Sequence, residues 1–238
     1  MRCGVEKMGS RLTLPGMSVI TGIGWITGTE YGCVMKKVRQ PYADVGSLRS
    51  SLERESVFSY PAKRFGKYDL ASQLTCGVAA LALYDAGVSY SEDRRQDIGI
   101  LGTNSDGCLQ SNVDFFRDFV ANGRTRGRAG LFVYTLPSIP IAEAAIYLKL
   151  QGPLLYLGFS REQISSLLTR ADKIITRGES PAMLAVKASE EDALCFVVRR
   201  EGDVSTQTAL RLETLLDIAQ QTSAVDEMVL ALFGHVTW

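Results

Sequence analysis

The sequence contains a single histidine, His235, and no excess of either charge: 26 lysine and arginine residues balance 26 aspartate and glutamate residues. A chain without net charge lacks the overall electrostatic field that attracts nucleic acid or an anionic membrane. No apolar run reaches the length of a membrane-spanning helix, and the charged first residues lack the apolar core of a signal peptide. We therefore expect neither nucleic acid nor a membrane as a partner.

Cysteine is also sparse, and its five copies are widely separated along the chain: Cys3, Cys33, Cys76, Cys108 and Cys195. No CxxC pair occurs, and one histidine is too few for the common zinc patterns. We therefore expect no metal and no other cofactor. The odd number of scattered cysteines is typical of a reduced, cytoplasmic chain rather than of a disulfide framework.

Apolar strands alternate with helical patterns along most of the chain. The predicted strands span residues 18–27, 97–103, 153–159, 182–186 and 193–198. The predicted helices span residues 69–86, 109–120, 141–150, 160–176 and 222–232. This alternation predicts an α/β domain with a mainly parallel sheet, and the short link between the last two strands predicts an antiparallel hairpin at one edge.

Several short segments occur in a defined order between residues 18 and 200. They are Val-Ile-Thr-Gly-Ile-Gly at 19–24, Lys-Arg-Phe-Gly-Lys-Tyr-Asp at 63–69, Asp-Ala-Gly at 85–87, Gly-Thr at 102–103 before Gly107, Thr-Leu-Pro at 135–137 and Gly-Pro at 152–153. Each is weak alone, but the ordered set resembles the N-terminal half of the β-ketoacyl synthases. That resemblance implies one half of a thiolase-like α/β fold, with a five-stranded mixed sheet and helices on both faces. It assigns residues 17–238 to one domain and residues 1–16 to a flexible extension.

The resemblance also locates the family's nucleophilic cysteine, which follows the Gly-Pro pair at a fixed spacing. Arg161 occupies that position here. A guanidinium stays protonated and cannot attack a thioester, so we predict no catalytic residue. The second half of the family, with its two catalytic histidines and its lysine, has no counterpart in the sequence.

Other chemistry-bearing residues have simpler interpretations. Cys108 and Ser160 lack an identifiable base, so we favour a packed cysteine and a helix N-cap serine. The glycines at 22, 24 and 28 loosely match a dinucleotide-binding loop, but no acidic residue ends the second strand. The arginines at 124, 126 and 128 are interpreted as a solvated loop, the phenylalanines at 115, 116 and 119 as packing residues, and His235 as exposed.

The function implied by the resemblance is that of a ketosynthase-like subunit in fatty-acid or polyketide-type biosynthesis, aryl-polyene systems included. Such a subunit lacks condensing activity and acts as a chain-length factor. Its partner would be a full-length ketosynthase or a second copy, together with acyl carrier protein.

Two sets of residues would serve that role. In the family, dimers form by edge-to-edge pairing of the strand before the nucleophile, here Pro153, Leu154, Leu155, Tyr156 and Leu157. The apolar run favours a strand buried on both faces. Residues around the Thr-Leu-Pro segment would shape the far end of the partner's acyl tunnel: Thr135, Leu136, Pro137, Ile139 and Ile141.

Two alternatives remain open at the level of sequence. The chain could be one piece of a split condensing enzyme or acyltransferase, or a scaffold protein that has lost lipid chemistry. The predicted helix after the nucleophile position argues against the split enzyme. One stripe of this helix is apolar, whereas Glu162, Arg170 and Lys173 lie on the opposite face, which is typical of a helix exposed to solvent on one side.

Overall fold

A computed structural model describes residues 18–104, 106–158, 163–204, 209–222 and 224–235. The strands are β1 (Ser18–Ile26), β2 (Glu30–Cys33), β3 (Val38–Pro41), β4 (Gly99–Thr103), β5 (Leu154–Tyr156), β6 (Ala182–Ala188), β7 (Ala193–Arg200) and β8 (Leu210–Arg211). The helices are α1 (Val45–Arg54), α2 (Leu70–Asp85), α3 (Leu109–Ala121), α4 (Ala129–Phe132), α5 (Ile139–Leu148), α6 (Gln163–Thr176), α7 (Leu212–Gln221) and α8 (Val225–His235). The predicted extension at residues 1–16, Ser160 and Arg161 lie outside the described residues.

One mixed sheet contains all the described strands, in the order β3-β2-β1-β7-β6-β4-β5, with β8 paired to the start of β1. Strands β5 and β6 run parallel to β4, and the other pairs are antiparallel. The prediction of a mainly parallel sheet is therefore wrong. The five predicted strands are confirmed and lie next to one another in the sheet. The predicted count of five is wrong, because a β2–β3 hairpin and the two-residue strand β8 extend the sheet to eight.

The predicted hairpin between the last two strands is confirmed, but its predicted position at an edge is wrong. Strand β7 pairs with β6 on one side and with β1 on the other, so the hairpin lies in the middle of the sheet. Both strands are almost entirely buried. A central position explains their continuous apolar runs, since both of their faces are covered.

One face of the sheet is covered mainly by α2, of whose 16 residues 13 are buried. Gly22 and Gly24 in β1 allow this helix to lie close to the strand. A Cβ at Gly22 would lie 2.3 Å from the carbonyl oxygen of Ala82, and a Cβ at Gly24 would lie 2.5 Å from that of Val78. These two glycines therefore serve helix–strand packing, which favours the thiolase-type interpretation over a dinucleotide loop.

The other face of the sheet is covered by α6, α7 and α8. The predicted apolar stripe of α6 is confirmed: Leu167, Leu168, Ala171, Ile174 and Ile175 are buried against the sheet, with Ile164 partly buried beside them. Helix α7, which the sequence did not predict, adds Leu215 and Ile218, and α8 adds Met228 and Leu232. The helices on both faces are thus as expected.

Among the described residues, no single helix is both long and apolar enough to cross a bilayer. The helical segments 129–135 and 139–148 reach that length and apolar character only when taken together, and they are bent by 102° relative to each other.

The carboxylate of Asp85, at the end of α2, ties this helix to the strands beneath it. It accepts hydrogen bonds from the backbone N–H groups of Ile23 at 2.8 Å, Met35 at 3.0 Å and Lys36 at 2.8 Å. Burial raises the pKa of the Asp85 carboxyl above its ordinary value, and the three N–H groups oppose that rise. Asp85 thereby satisfies three backbone donors that the sheet and its hairpin leave unpaired.

We expect Asp85→Ala to lower the free energy of unfolding by about 3 kcal/mol, because it leaves these backbone donors without an acceptor. Asp85→Asn should cost less, since the amide retains one acceptor oxygen of similar shape. Urea unfolding followed by circular dichroism measures both. An Ala variant as stable as the Asn variant would show that the three hydrogen bonds do not stabilise the fold.

Candidate functional site

The candidate site lies where the parallel strands β4 and β6 end. Asn104 follows β4, and Lys187 near the end of β6 is paired with Thr103. The carboxyl ends of parallel strands are the common location of ligand sites in α/β proteins. Arg161, at the predicted nucleophile position five residues after β5 in the sequence, lies outside the described residues.

Asn104 joins the ends of β4 and β5. Its side-chain oxygen accepts a hydrogen bond from the N–H of Gly107 at 2.6 Å and another from the hydroxyl of Tyr156 at 3.0 Å. These bonds hold the tight turn that leads from β4 into α3. Tyr156, predicted as part of a dimerisation strand, therefore also orders the candidate site.

Cys108 follows that turn in a left-handed backbone conformation, with φ 62°. It is buried, and its thiol donates a weak hydrogen bond to the carbonyl oxygen of Leu136 at 3.8 Å. Burial, and then the charges of Asp69 and Glu190, raise the pKa of the Cys108 thiol to about 11. A thiol with this pKa is protonated at neutral pH, so the structure favours the packed cysteine over a substitute nucleophile.

A cavity of about 450 Å³ opens beside Cys108. Its lining includes Asp106, Lys187 and the acidic loop from Glu190 to Asp192. Burial raises the pKa of the Glu190 carboxyl, and the negative charges of Asp69, Asp114 and Asp106 raise it further. This acidic loop is not among the predicted site residues, although three consecutive acidic residues between two buried strands are a visible signal in the sequence.

The described part of the cavity offers no histidine to serve as a base. His235 ends α8 and is exposed, as predicted. The described residues also contain no group of three or more histidine, cysteine, aspartate or glutamate side chains able to hold a metal ion.

The predicted tunnel residues lie on the segment that passes over Cys108 into α5. The carbonyl oxygen of Thr135 accepts a hydrogen bond from Asn112 at 3.2 Å, and Leu136 is 48% exposed. Pro137 and Ile139 are half-buried. Ile141 is buried, and its side chain fills the space that a Cβ on Gly102 would need, at 2.3 Å. Four of the five residues are thus accessible, whereas Ile141 packs against β4.

The predicted dimerisation strand is observed as β5, at the end of the sheet. The carbonyl oxygen of Pro153 accepts from Ile100 at 2.8 Å, and the N–H of Leu157 donates to Gly102 at 2.8 Å. Because backbone groups alternate along a strand, those of Leu154 and Tyr156 point away from β4. The expected burial on both faces is wrong for the isolated chain, in which Leu154 and Leu155 are 40% and 39% exposed.

The arginine loop and the three phenylalanines of α3 are the remaining residues with a predicted role. Arg128 pairs with Asp118, and the loop from Arg124 to Arg128 is exposed, as expected of a solvated loop. Phe115 and Phe119 stack on each other with their ring centroids 6.3 Å apart. Phe116 is 63% exposed, so its predicted packing role is wrong within this chain.

Comparison with solved structures identifies the architecture. The ishigamide ketosynthase/chain length factor matches with a TM-score of 0.58 and 16% identity over 80% of this chain and 64% of that one. The chain has a ketosynthase-like thiolase fold. A β-ketoacyl synthase from Burkholderia phymatum matches with a TM-score of 0.58 and 15% identity over 79% of this chain and 60% of that one.

A type II polyketide synthase acyl-carrier protein in complex with its hexaketide-bound ketosynthase gives a TM-score of 0.56 at 14% identity, covering 80% of this chain and 64% of the matched chain. This chain therefore spans less than two thirds of the length of each of these proteins. No family model matches the sequence, and no curated protein sequence matches it.

The raised pKa of Cys108 predicts slow alkylation of its thiol. With a pKa of about 11, roughly one thiol in a thousand is ionised at pH 8, against about a quarter for an ordinary cysteine. We expect native Cys108 to react with iodoacetamide at least about 100-fold more slowly than free cysteine at pH 8, and faster as pH rises toward 11. Peptide mass spectrometry gives the rate, with urea-unfolded protein as the control. Labelling at the same rate in folded and unfolded protein would show that Cys108 is a reactive residue.

Proposed function

We propose that this chain is a ketosynthase-like subunit without condensing activity that pairs with a full-length ketosynthase and sets the length of its product. The single observation that carries the proposal is the open edge of β5 at the end of the sheet. A strand that is apolar, exposed and unpaired on one side among the described residues favours addition of a strand from another chain.

The distribution of exposed apolar side chains along the chain supports a partner that contacts the segment from α3 to β5. Eleven large hydrophobic side chains are exposed among the described residues. Nine of them lie between residues 109 and 155, and the two exceptions are Leu70 and Leu230. An apolar surface concentrated in one part of the chain is typical of a protein interface.

The absence of condensing chemistry rests on the residues at the candidate site. Arg161 cannot serve as a nucleophile, and Cys108 carries a thiol whose pKa is raised to about 11. The acidic loop from Glu190 to Asp192 would raise the pKa of a nearby thiol further rather than lower it. This site therefore lacks the activation that nucleophilic acyl transfer requires.

The packing of α7 and α8 weighs against a split enzyme. In β-ketoacyl synthases, the helix after the nucleophile lies between the two halves. Here α7 and α8 lie beside the corresponding helix, α6, and bury Leu215, Met228 and Leu232 in the core they share with it. The outward face of α6 carries the exposed residues Arg170 and Lys173, which do not suit an apolar interface with a second half.

The arrangement of the tunnel residues supports a role in product length. Thr135 to Ile139 form an accessible segment whose position is fixed by hydrogen bonds from Asn112 and Cys108. Residues held in place at an interface can limit the space available to an acyl chain bound by the partner. Such a limit requires no chemistry from this chain.

We expect Leu155→Arg to abolish a one-to-one complex between this chain and the ketosynthase encoded beside it, because the substitution puts a charge at the centre of the pairing strand. Native mass spectrometry of the co-expressed, tagged pair provides the measurement. Leu230→Arg is a matched control, because Leu230 is exposed on α8, whose Phe233 packs on Trp25 of β1, four strands away from β5. A complex that survives Leu155→Arg would overturn pairing through β5, and a chain that never binds the ketosynthase would favour a scaffold role.

We further expect Leu136→Trp to shorten the products of the complex, because a larger side chain leaves less room for the acyl chain. Mass spectrometry of the extracted products gives the length distribution. Leu230→Trp should leave that distribution unchanged. An unaltered distribution in the Leu136 variant, with the complex intact, would remove this residue from the tunnel.

A further inference from the structure

A groove of about 470 Å³ lies between α6 and α7, next to the end of β5. Helix α7 contributes Gln220 to its lining, and α6 contributes a row of polar residues at spacings of three and four: Ser165, Ser166, Thr169, Arg170 and Lys173. Such spacings place the α6 residues on one face of the helix. The apolar part of the lining is formed by two half-buried leucines, Leu157 and Leu216. We call this lining the α6–α7 groove.

The polar side chains of the groove carry hydrogen-bond donors that the rest of the described chain does not use. Neither Arg170 nor Lys173 forms an ion pair with a described carboxylate. The side chains of Ser165, Ser166 and Gln220 likewise make no hydrogen bond to a described residue. The groove therefore presents two cations and three neutral donor groups to a molecule that enters it.

The positive charge of the groove is not balanced by its own lining. The carboxylates nearest to it in sequence, Asp172 on α6 and Asp217 on α7, do not line it. Arg170 and Lys173 lie three residues apart on one helix, where like charges repel each other. An anion bound between them would remove that repulsion and would accept charge-assisted hydrogen bonds from both side chains.

We propose that the α6–α7 groove binds a small organic phosphate monoester. Its phosphate lies between Arg170 and Lys173, and its carbon portion contacts the two leucines. A phosphate monoester carries close to two negative charges at neutral pH, which matches the two cations, whereas a carboxylate carries one. The arginine fork donates two parallel hydrogen bonds to phosphate oxygens, and the Ser166 hydroxyl, one turn before Arg170, supplies a further donor. The volume of the groove lies within the range of small-molecule sites, roughly 300–1,000 Å³.

Butyl phosphate serves as the probe, because it joins a phosphate monoester to a short alkyl chain. Amide chemical shifts of the full chain, followed by NMR during a titration at neutral pH, should give a Kd of about 1 mM. Inorganic phosphate should bind at least about threefold more weakly, because it makes no contact with Leu157 and Leu216. Butanol should not bind detectably, because it offers no charge to the two cations.

Arg170→Ala and Lys173→Ala should each weaken the binding of butyl phosphate at least about tenfold, since each removes one charged donor. Arg170→Lys retains the charge but not the fork, so it should lose less affinity than Arg170→Ala. Arg54→Ala is the matched control. Arg54 is exposed as well, but it lies on α1, whose Leu48 and Leu52 belong to the core on the opposite face of the sheet from α6. Circular dichroism checks that each variant is folded.

Three results would overturn the groove as a phosphate site. The first is no binding by the wild-type chain up to about 20 mM butyl phosphate, and the second is an affinity that both alanine variants leave unchanged. The third is an equal loss of affinity in Arg54→Ala, which would indicate unspecific attraction by charge. This inference does not rest on the proposed function, because the complex with a ketosynthase is tested separately through Leu155→Arg, and either idea can fail while the other holds.

Discussion

The close contact between β1 and α2 is the constraint on which the remainder of the structure depends. Gly22 and Gly24 let the helix backbone approach the strand so closely that any side chain there would collide with Ala82 or Val78. Asp85 then fixes the end of the helix by accepting three backbone hydrogen bonds from β1 and the segment after β2. With α2 fixed in this way, its N-terminus at Asp69 holds α3 through Ser111, and the candidate site forms between the two helices.

Helices cover the centre of the sheet but leave its end at β5 exposed. The region that stabilises the fold therefore differs from the region that is available to a partner. The sheet's centre, β7 and β6, is buried on both faces, by α2 on one side and by α6, α7 and α8 on the other. Its end at β5 is exposed, and so are α3 and α4, the first two helices between β4 and β5, whereas α5 is mostly buried. Apolar burial is thus concentrated around the central strands and the helices that cover them, whereas the segment from α3 to β5 presents most of the exposed large apolar side chains.

The helices and strands were easier to predict from the sequence than the burial of their side chains. Strands β1, β4, β6 and β7 were identifiable because their apolar runs are continuous, and α2 because Asp69 caps it and Gly87 follows it. The β2–β3 hairpin was missed because four-residue strands carry too little periodicity. The exposure of Leu155 and Phe116 was unpredictable for a different reason. Apolar periodicity indicates that a face is buried against something, but it does not indicate whether that something belongs to the same chain.

The candidate site could be predicted only in part from the sequence, because its surroundings depend on how distant segments meet. The Gly-Pro pair and the Thr-Leu-Pro segment lie just before β5 and α5 in the sequence, and the family resemblance, not the chemistry of the residues themselves, is what assigns a nucleophile position to Arg161. The electrostatics of the site depend on residues that are far apart in sequence. Asp69, Asp106 and Glu190 come together only when α2, the β4 turn and the β6–β7 loop meet at one end of the sheet. Burial, and then the charges of Asp69 and Glu190, raise the pKa of the Cys108 thiol to about 11, so the fold opposes thiolate chemistry at this site.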